Sequence, residues 1–222
     1  MVSTRTRSSS WRTALLALIA AFSLIGASAC DVVLEAERDD APVDGVTALL
    51  DQLTVADSGS MKGYSRTRFP HWKKTGVNCN VRDTVLERDG KDVQLDRCNV
   101  VGGEWVSKYD DATLTDPLKV DIDHMVPLAN AWRSGADEWD DARRGEFAND
   151  LTRPQLFAVS ASSNRAKGDQ DPSQWKPPNR DYWCQYAQDW ITVKHHWQLS
   201  ITVDEKAALA DMLETCSWKT KP

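Results

Sequence analysis

Asp121-Ile122-Asp123-His124-Met125-Val126-Pro127-Leu128 is the stretch on which the fold turns. Lys119 to His124 alternates polar and apolar residues, which predicts a strand with Val120 and Ile122 turned to the core and Asp121 and Asp123 on the opposite face. His124 stands at the exit of that strand. Pro127 then predicts a helix start, carried through Leu128, Ala131 and Trp132 and ended by Gly135. Further on, Trp139 to Phe147 predicts a short helix, and the apolar run Gln155-Leu156-Phe157-Ala158-Val159 between turn formers predicts a second strand. Ser160 or Ser162 can cap the next helix, which carries Asn164 and Lys167 within Ser162-Ser163-Asn164-Arg165-Ala166-Lys167-Gly168-Asp169.

The residue types in this order are the parts of a one-metal phosphodiester cleavage site. His124 can take a proton from water near neutral pH, since an unperturbed imidazole titrates at about 6.5. Asp123 and Asn164 offer hard oxygens that suit Mg²⁺, or alternatively Mn²⁺, and Asn149 between the two motifs can orient the imidazole. Lys167 and Arg165 on the second helix, and Arg82 from an upstream helix, are the candidate substrate phosphate contacts. A single His at a strand end is ordinarily a satisfied polar residue, so the weight rests on the set rather than on any one member. His195 and His196 have no third ligand at metal spacing and are expected to be structural.

Outside this stretch, the N-terminus reads as an export signal over residues 1–29. Arg5, Arg7 and Arg12 form a positive front, Ala14 to Ile25 is apolar, and Ala27-Ser28-Ala29 is a small-residue cleavage site. That apolar run falls short of the roughly 20 residues a spanning helix needs, so no stable membrane span is expected. Cys30 follows the site directly, and its acylation, giving a lipid anchor at the cell surface, is the alternative to full secretion. Loss of the three arginines leaves 24 basic against 33 acidic residues, a formal net charge of −9. An acidic chain does not grip nucleic acid by its bulk field, so any such grip must be local.

Residues 30–42 are acidic and unpatterned, a solvated spacer, and residues 43–222 are expected to form one monomeric domain. Val46, Leu49, Leu50 and Leu53 predict its first helix. Tyr64, Arg66, Arg68, Phe69, His71, Trp72, Lys73 and Lys74 then make the strongly positive, aromatic stretch of the mature chain. It is either a phosphate contact or a loop packed by its aromatics. Asn80 to Arg88 predicts a helix, and Val93 to Asp96 and Glu104 to Val106 predict strands around a Gly102-Gly103 turn. Trp183, Ala187, Trp190, Lys194 and Trp197 predict an amphipathic helix, and Val203 to Leu213 the last one. In an exported chain the remaining cysteines are expected as Cys79 with Cys98 and Cys184 with Cys216, because each pair flanks one continuous patterned segment.

Strand, His, long connection, strand and Asn-bearing helix resemble the HNH endonucleases, whose three letters fall here on His124, Asn149 and Asn164. From about Gly63 to Cys216 the chain also resembles secreted bacterial HNH proteins related to the nuclease domain of GmrSD restriction enzymes. The resemblance implies an α+β fold, with a ββα-metal core embedded in a mostly helical domain with short antiparallel strands. It implies hydrolysis of DNA, with RNA as the alternative substrate. It further implies that Asn149 fixes the imidazole through its backbone or side chain, and that Asn rather than His as the last letter favours Mg²⁺. The rival expectation is a non-catalytic binding module tethered at Cys30 that uses the aromatics near Trp72. A metallopeptidase is disfavoured because no His-Glu-x-x-His occurs.

Overall fold

Two apolar cores, one mainly helical and one built around strands, organise the computed structural model, which describes residues 43–218. The expected signal, the spacer and Cys30 lie outside the described residues. Helix α1 (Val43–Gln52) buries Val46 and Leu50, as its spacing predicts. The positive stretch is mostly irregular, with one 3-10 turn at Arg66–Arg68 and Phe69 fully buried behind it. Strands β1 (Lys74–Gly76) and β2 (Cys79–Asn80) pair antiparallel and lead into α2 (Val81–Asp89). Asn80 caps α2 by accepting from the Arg82 N–H at 2.8 Å, while the Asp83 carboxylate accepts from the Asn80 N–H at 3.1 Å. That reciprocal pair satisfies two N–H groups the helix itself leaves open.

Strands β3 (Lys91–Asp96), β4 (Asn99–Val106) and β5 (Thr113–Leu114) form an antiparallel sheet. The chain turns at Arg97-Cys98, where Arg97 has φ 62°, and not at Gly102-Gly103, which lie inside β4. The glycines answer to packing instead. A Cβ on Gly103 would stand 2.9 Å from the Trp105 ring, and one on Gly90 2.6 Å from its Nε1, so their absence lets the buried indole lie flat and donate to the Leu86 carbonyl at 2.8 Å.

Strand β6 (Val120–His124) is followed by α3 (Leu128–Arg133), with Pro127 at its start and Gly135, φ 117°, beyond its end. Helix α4 (Asp141–Phe147), β7 (Leu156–Ser160) and α5 (Ala161–Lys167) come next, then α6 (Trp183–Trp197) and α7 (Val203–Glu214). β6 and β7 pair antiparallel in unbroken register, from Val120 opposite Ser160 to His124 opposite Leu156. This ribbon is the wedge between the two cores. Val120, Ile122, Leu156 and Ala158 face the strand-side core, whereas Phe157 and Val159 face the helical one. β7 is therefore buried on both faces, which is why it reads as a continuous apolar run rather than an alternating one.

Both expected disulfides are present, Cys79–Cys98 with Cα atoms 5.1 Å apart and Cys184–Cys216 at 4.9 Å. The fold is α+β with short antiparallel strands and several helices. No described helix is long and apolar enough to cross a membrane.

Candidate active site

Asp121 and Asp123 do share a face of β6, but that face is covered by α5. Ser160, whose hydroxyl accepts from the Ser163 N–H at 3.2 Å, starts the helix directly at the end of β7 and lays it across the ribbon. Asn164 and Lys167 stand one turn apart on its inner side, and Asp121 and Asp123 stand two residues apart on the strand, so they meet as two rungs. Asn164 Nδ2 donates to Asp121 Oδ2 at 3.0 Å, and Lys167 Nζ donates to Asp123 Oδ2 at 2.6 Å and to the His124 carbonyl at 2.8 Å. Tyr109 adds a second contact on Asp123 Oδ2, its hydroxyl donating at 2.5 Å. Asp110 braces the start of α5, accepting from the hydroxyls of Ser160 and Ser163 at 2.5 and 2.7 Å.

Burial pushes the Asp123 carboxyl up, and the Lys167 charge with the bonds from Lys167 and Tyr109 pulls it back. Burial likewise pushes the Lys167 ammonium down against the pull of Asp123. At 2.6 Å the two hold each other charged.

His124 points the opposite way and is also buried. Its Nε2 lies 3.0 Å from the Ala148 carbonyl, which can only accept, so Nε2 carries the proton and Nδ1 keeps the lone pair. Burial, above all, pushes the imidazole down to about 3; the Ala148 bond opposes this, and the charges of Arg66, Lys167 and His71 add to it. The ring is thus neutral at physiological pH. Trp72 flanks it, with ring centroids 6.0 Å apart.

The Asn149 side chain makes no hydrogen bond to the imidazole. Its Nδ2 donates to the carbonyls of Pro70 and Gly145 at 2.7 and 2.6 Å, and its Oδ1 accepts from the Lys73 N–H at 2.9 Å. It fastens both ends of the 70–73 loop to the end of α4. Trp72, within that loop, has φ 60°, a left-handed backbone that an indole residue adopts only when its surroundings impose it. Asn149 therefore shapes the surroundings of His124 through two neighbours, the Ala148 carbonyl and the Trp72 ring.

Three expected phosphate contacts lie elsewhere. Lys167 is fully buried on Asp123. Arg82 donates through Nη2 to the carbonyls of Pro117 and Val120 at 3.0 and 2.8 Å, a strut from α2 to the start of β6. Arg165 is exposed on α5 and does not line the cleft. A helical Lys or Arg reads the same in sequence whether it faces water or a buried carboxylate, and here the register of α5 on β6 decides. Tyr109 and the Ala148 carbonyl were not foreseeable from spacing: one is an aromatic in a polar loop and the other a backbone atom.

Asp123, His124 and Asn164 line one cleft of about 220 Å³, together with Tyr64, Arg66 and Asp169. Among the described residues no three His, Cys, Asp or Glu side chains cluster as a metal cage. The oxygens that could hold a cation are those of Asp123 and Asn164. With its NH₂ group on Asp121, Asn164 keeps its amide oxygen as an acceptor. One carboxylate and one amide oxygen fit a hard cation that keeps several waters and takes phosphate oxygens as further ligands.

An antiparallel ribbon crossed by a helix, with a neutral His, a carboxylate and an amide around one cleft, is an arrangement suited to a metal-assisted hydrolase. Residues 80–212 match the family described as GmrSD restriction endonucleases, C-terminal domain, and the chain belongs to that nuclease-related family. It is also 54% identical over 170 residues to an uncharacterized secreted protein of Arthroderma benhamiae, a match covering 76% of this chain and 83% of that one. That relative is fungal, so the expected likeness to bacterial proteins in particular is not shown. No solved structure matches the chain.

Proposed function

We propose that the chain is a secreted, metal-dependent HNH endonuclease that hydrolyses phosphodiester bonds of DNA, with RNA as the alternative substrate. Its ββα-metal core would consist of β6, β7 and α5. The observation that carries this reading is His124, proton-bearing at Nε2 on the Ala148 carbonyl and lone-paired at Nδ1, in one cleft with Asp123 and Asn164. Family membership, the description of the fungal relative as secreted, and two disulfides that suit an oxidising compartment support it. The domain layout that goes with it is a signal over 1–29, a spacer over 30–42 and a nuclease over 43–222, with Cys30 as the point of lipid attachment if the protein is anchored.

In this mechanism Asp123 and Asn164 would hold the metal, Mg²⁺ first and Mn²⁺ as the alternative. When bound, such an ion neutralises the scissile phosphate and stabilises the leaving 3′ oxygen. His124 takes the proton of the attacking water at Nδ1. Its bond to Ala148 fixes the tautomer and ring plane. Lys167 and Tyr109 hold Asp123 by one oxygen, so the carboxylate does not swing.

Purified protein incubated with supercoiled plasmid and Mg²⁺ should nick it, and His124→Ala should lower the rate roughly 10²–10⁴-fold, the range for loss of a general base. Absence of nicking with Mg²⁺, Mn²⁺ or Zn²⁺ at neutral to alkaline pH would sink the proposal.

A further inference from the structure

The cleft carries a charge imbalance that the residues placed so far do not explain. Two carboxylates line it, and each is matched by a cation reaching in from outside: Asp123 by Lys167 at 2.6 Å and Asp169 by Arg133 at 2.6 Å. Arg66 is the cation among the lining residues, and among the described residues no carboxylate pairs with it. Arg68, two residues on in the same 3-10 turn, is committed elsewhere: it lies over the Trp132 ring at 5.1 Å and pairs with Asp141 at 3.8 Å. The turn is anchored on both sides of Arg66. Ser65 caps it, Tyr64 packs edge-on against Trp132 with centroids 5.9 Å apart, and Phe69 is fully buried. An exposed guanidinium held on a fixed backbone, facing a cleft whose carboxylates are already neutralised, is a preformed anion contact in a chain of net charge −6.

We propose that Arg66 holds a backbone phosphate of the nucleic acid strand in the cleft, its forked N–H groups taking two oxygens of a phosphate beside the scissile bond. This rests on the endonuclease reading above. It supplies the local grip that an acidic protein needs, and it assigns that grip to the loop before β1 rather than to α5.

The test uses full-length mature protein carrying His124→Ala, so that substrate survives, and a fluorescein-labelled 16-nucleotide DNA, single-stranded or duplex, titrated in Mg²⁺ over a range of salt. Adding Arg66→Ala should weaken binding at least tenfold and lower the slope of log K against log salt by about one phosphate's worth, roughly 0.9 for duplex. Arg66→Lys should keep the slope and recover part of the affinity, and Arg165→Ala should leave the slope alone. Unchanged affinity and slope in Arg66→Ala would overturn the proposal, as would equal losses in Arg66→Ala and Arg165→Ala, which would mean diffuse surface charge. If the parent binds neither DNA form nor an RNA of the same sequence, the endonuclease reading fails and this proposal with it. An unchanged unfolding midpoint in Arg66→Ala, expected for an exposed side chain, shows that the fold is intact.

Discussion

Two lysines of this protein are alike in nearly every local respect and differ in what lies behind their partners. Lys167 and Lys194 have fully buried side chains, each pairs with a buried carboxylate, Asp123 or Glu205, and both ammonium groups lie over the Trp190 ring, at 5.9 and 5.8 Å. Burial pushes both ammonium groups down, and the partner carboxylate resists in each case. The Lys194 pair is closed on itself. Lys194 donates to Glu205, the Ser134 hydroxyl and the Ser200 carbonyl, while Glu205 also accepts from the Trp190 indole at 2.6 Å. The Lys167 pair has an open side, because Asp123 lines the cleft. A buried ion pair seldom stabilises a fold more than apolar packing of the same volume. The closed pair is therefore a fixture of helix packing, and the open one fixes a carboxylate at the cleft, where the proposed chemistry would use it.

The largest expected effects come from breaking each pair. Lys167→Met and Lys194→Met should each cost about 3–5 kcal/mol in urea unfolding, since each leaves a buried carboxylate uncompensated. Neutralising the partner separates the two. Lys194→Met with Glu205→Gln should recover most of the stability and retain nicking. Lys167→Met with Asp123→Asn should recover stability, because Tyr109 keeps an acceptor, yet remain inactive and lose Mn²⁺ affinity in calorimetry. Equal nicking by the two double variants would erase the distinction and with it the case for Asp123 as a metal-facing group.

How much of this was legible follows from the range of the forces involved. The β6 alternation, the Ser160 cap, the α2 boundary at Asn80 and both disulfides are local or near-local features, and the sequence shows each of them. The motif residues His124, Asp123 and Asn164 do meet around one cleft. The roles of Lys167, Arg82 and Asn149 were not legible, because each is decided by a partner far along the chain: 44 residues for Lys167 and Asp123, 38 for Arg82 and Val120, 76 for Asn149 and Lys73. The glycine pair 102–103 misled for the same reason, since a turn and a close approach to an indole both call for the missing Cβ.

A smaller effect sharpens the contrast on the other side of the ribbon. Asn149→Ala removes the partners of the Lys73 N–H and the Pro70 and Gly145 carbonyls, so it should cost about 1–3 kcal/mol. Cleavage should fall as well, although the side chain makes no hydrogen bond to His124, because the loop that seats Trp72 beside the imidazole is released. Asn149→Asp keeps the acceptor for Lys73 but loses both donors, and it should lie between wild type and Asn149→Ala. Full stability in Asn149→Ala would mean that the loop is held by its buried aromatics alone.

The smallest effect is set by pH and belongs to His124. His124 has its folded value pushed down to about 3, against 6.5 for an ordinary imidazole. A depressed folded value gives a stabilisation that is fully present above pH 6.5 and is lost as pH falls toward 3, because below 6.5 the unfolded chain takes up a proton that the folded one refuses. The slope approaches about 1.4 kcal/mol per pH unit, so between pH 7.5 and 5.5 this one residue should withdraw about 1.4 kcal/mol. His124→Asn should lack that share of the decline, so its stability should fall less over the same interval by that amount. The acid limb of kcat/KM, which reports the free enzyme, should correspondingly lie below pH 5.5 rather than near 6.5. A limb at 6.5, with identical pH dependence of stability in His124→Asn, would mean that the imidazole stands in water and that neither the Ala148 carbonyl nor the Trp72 wall encloses it.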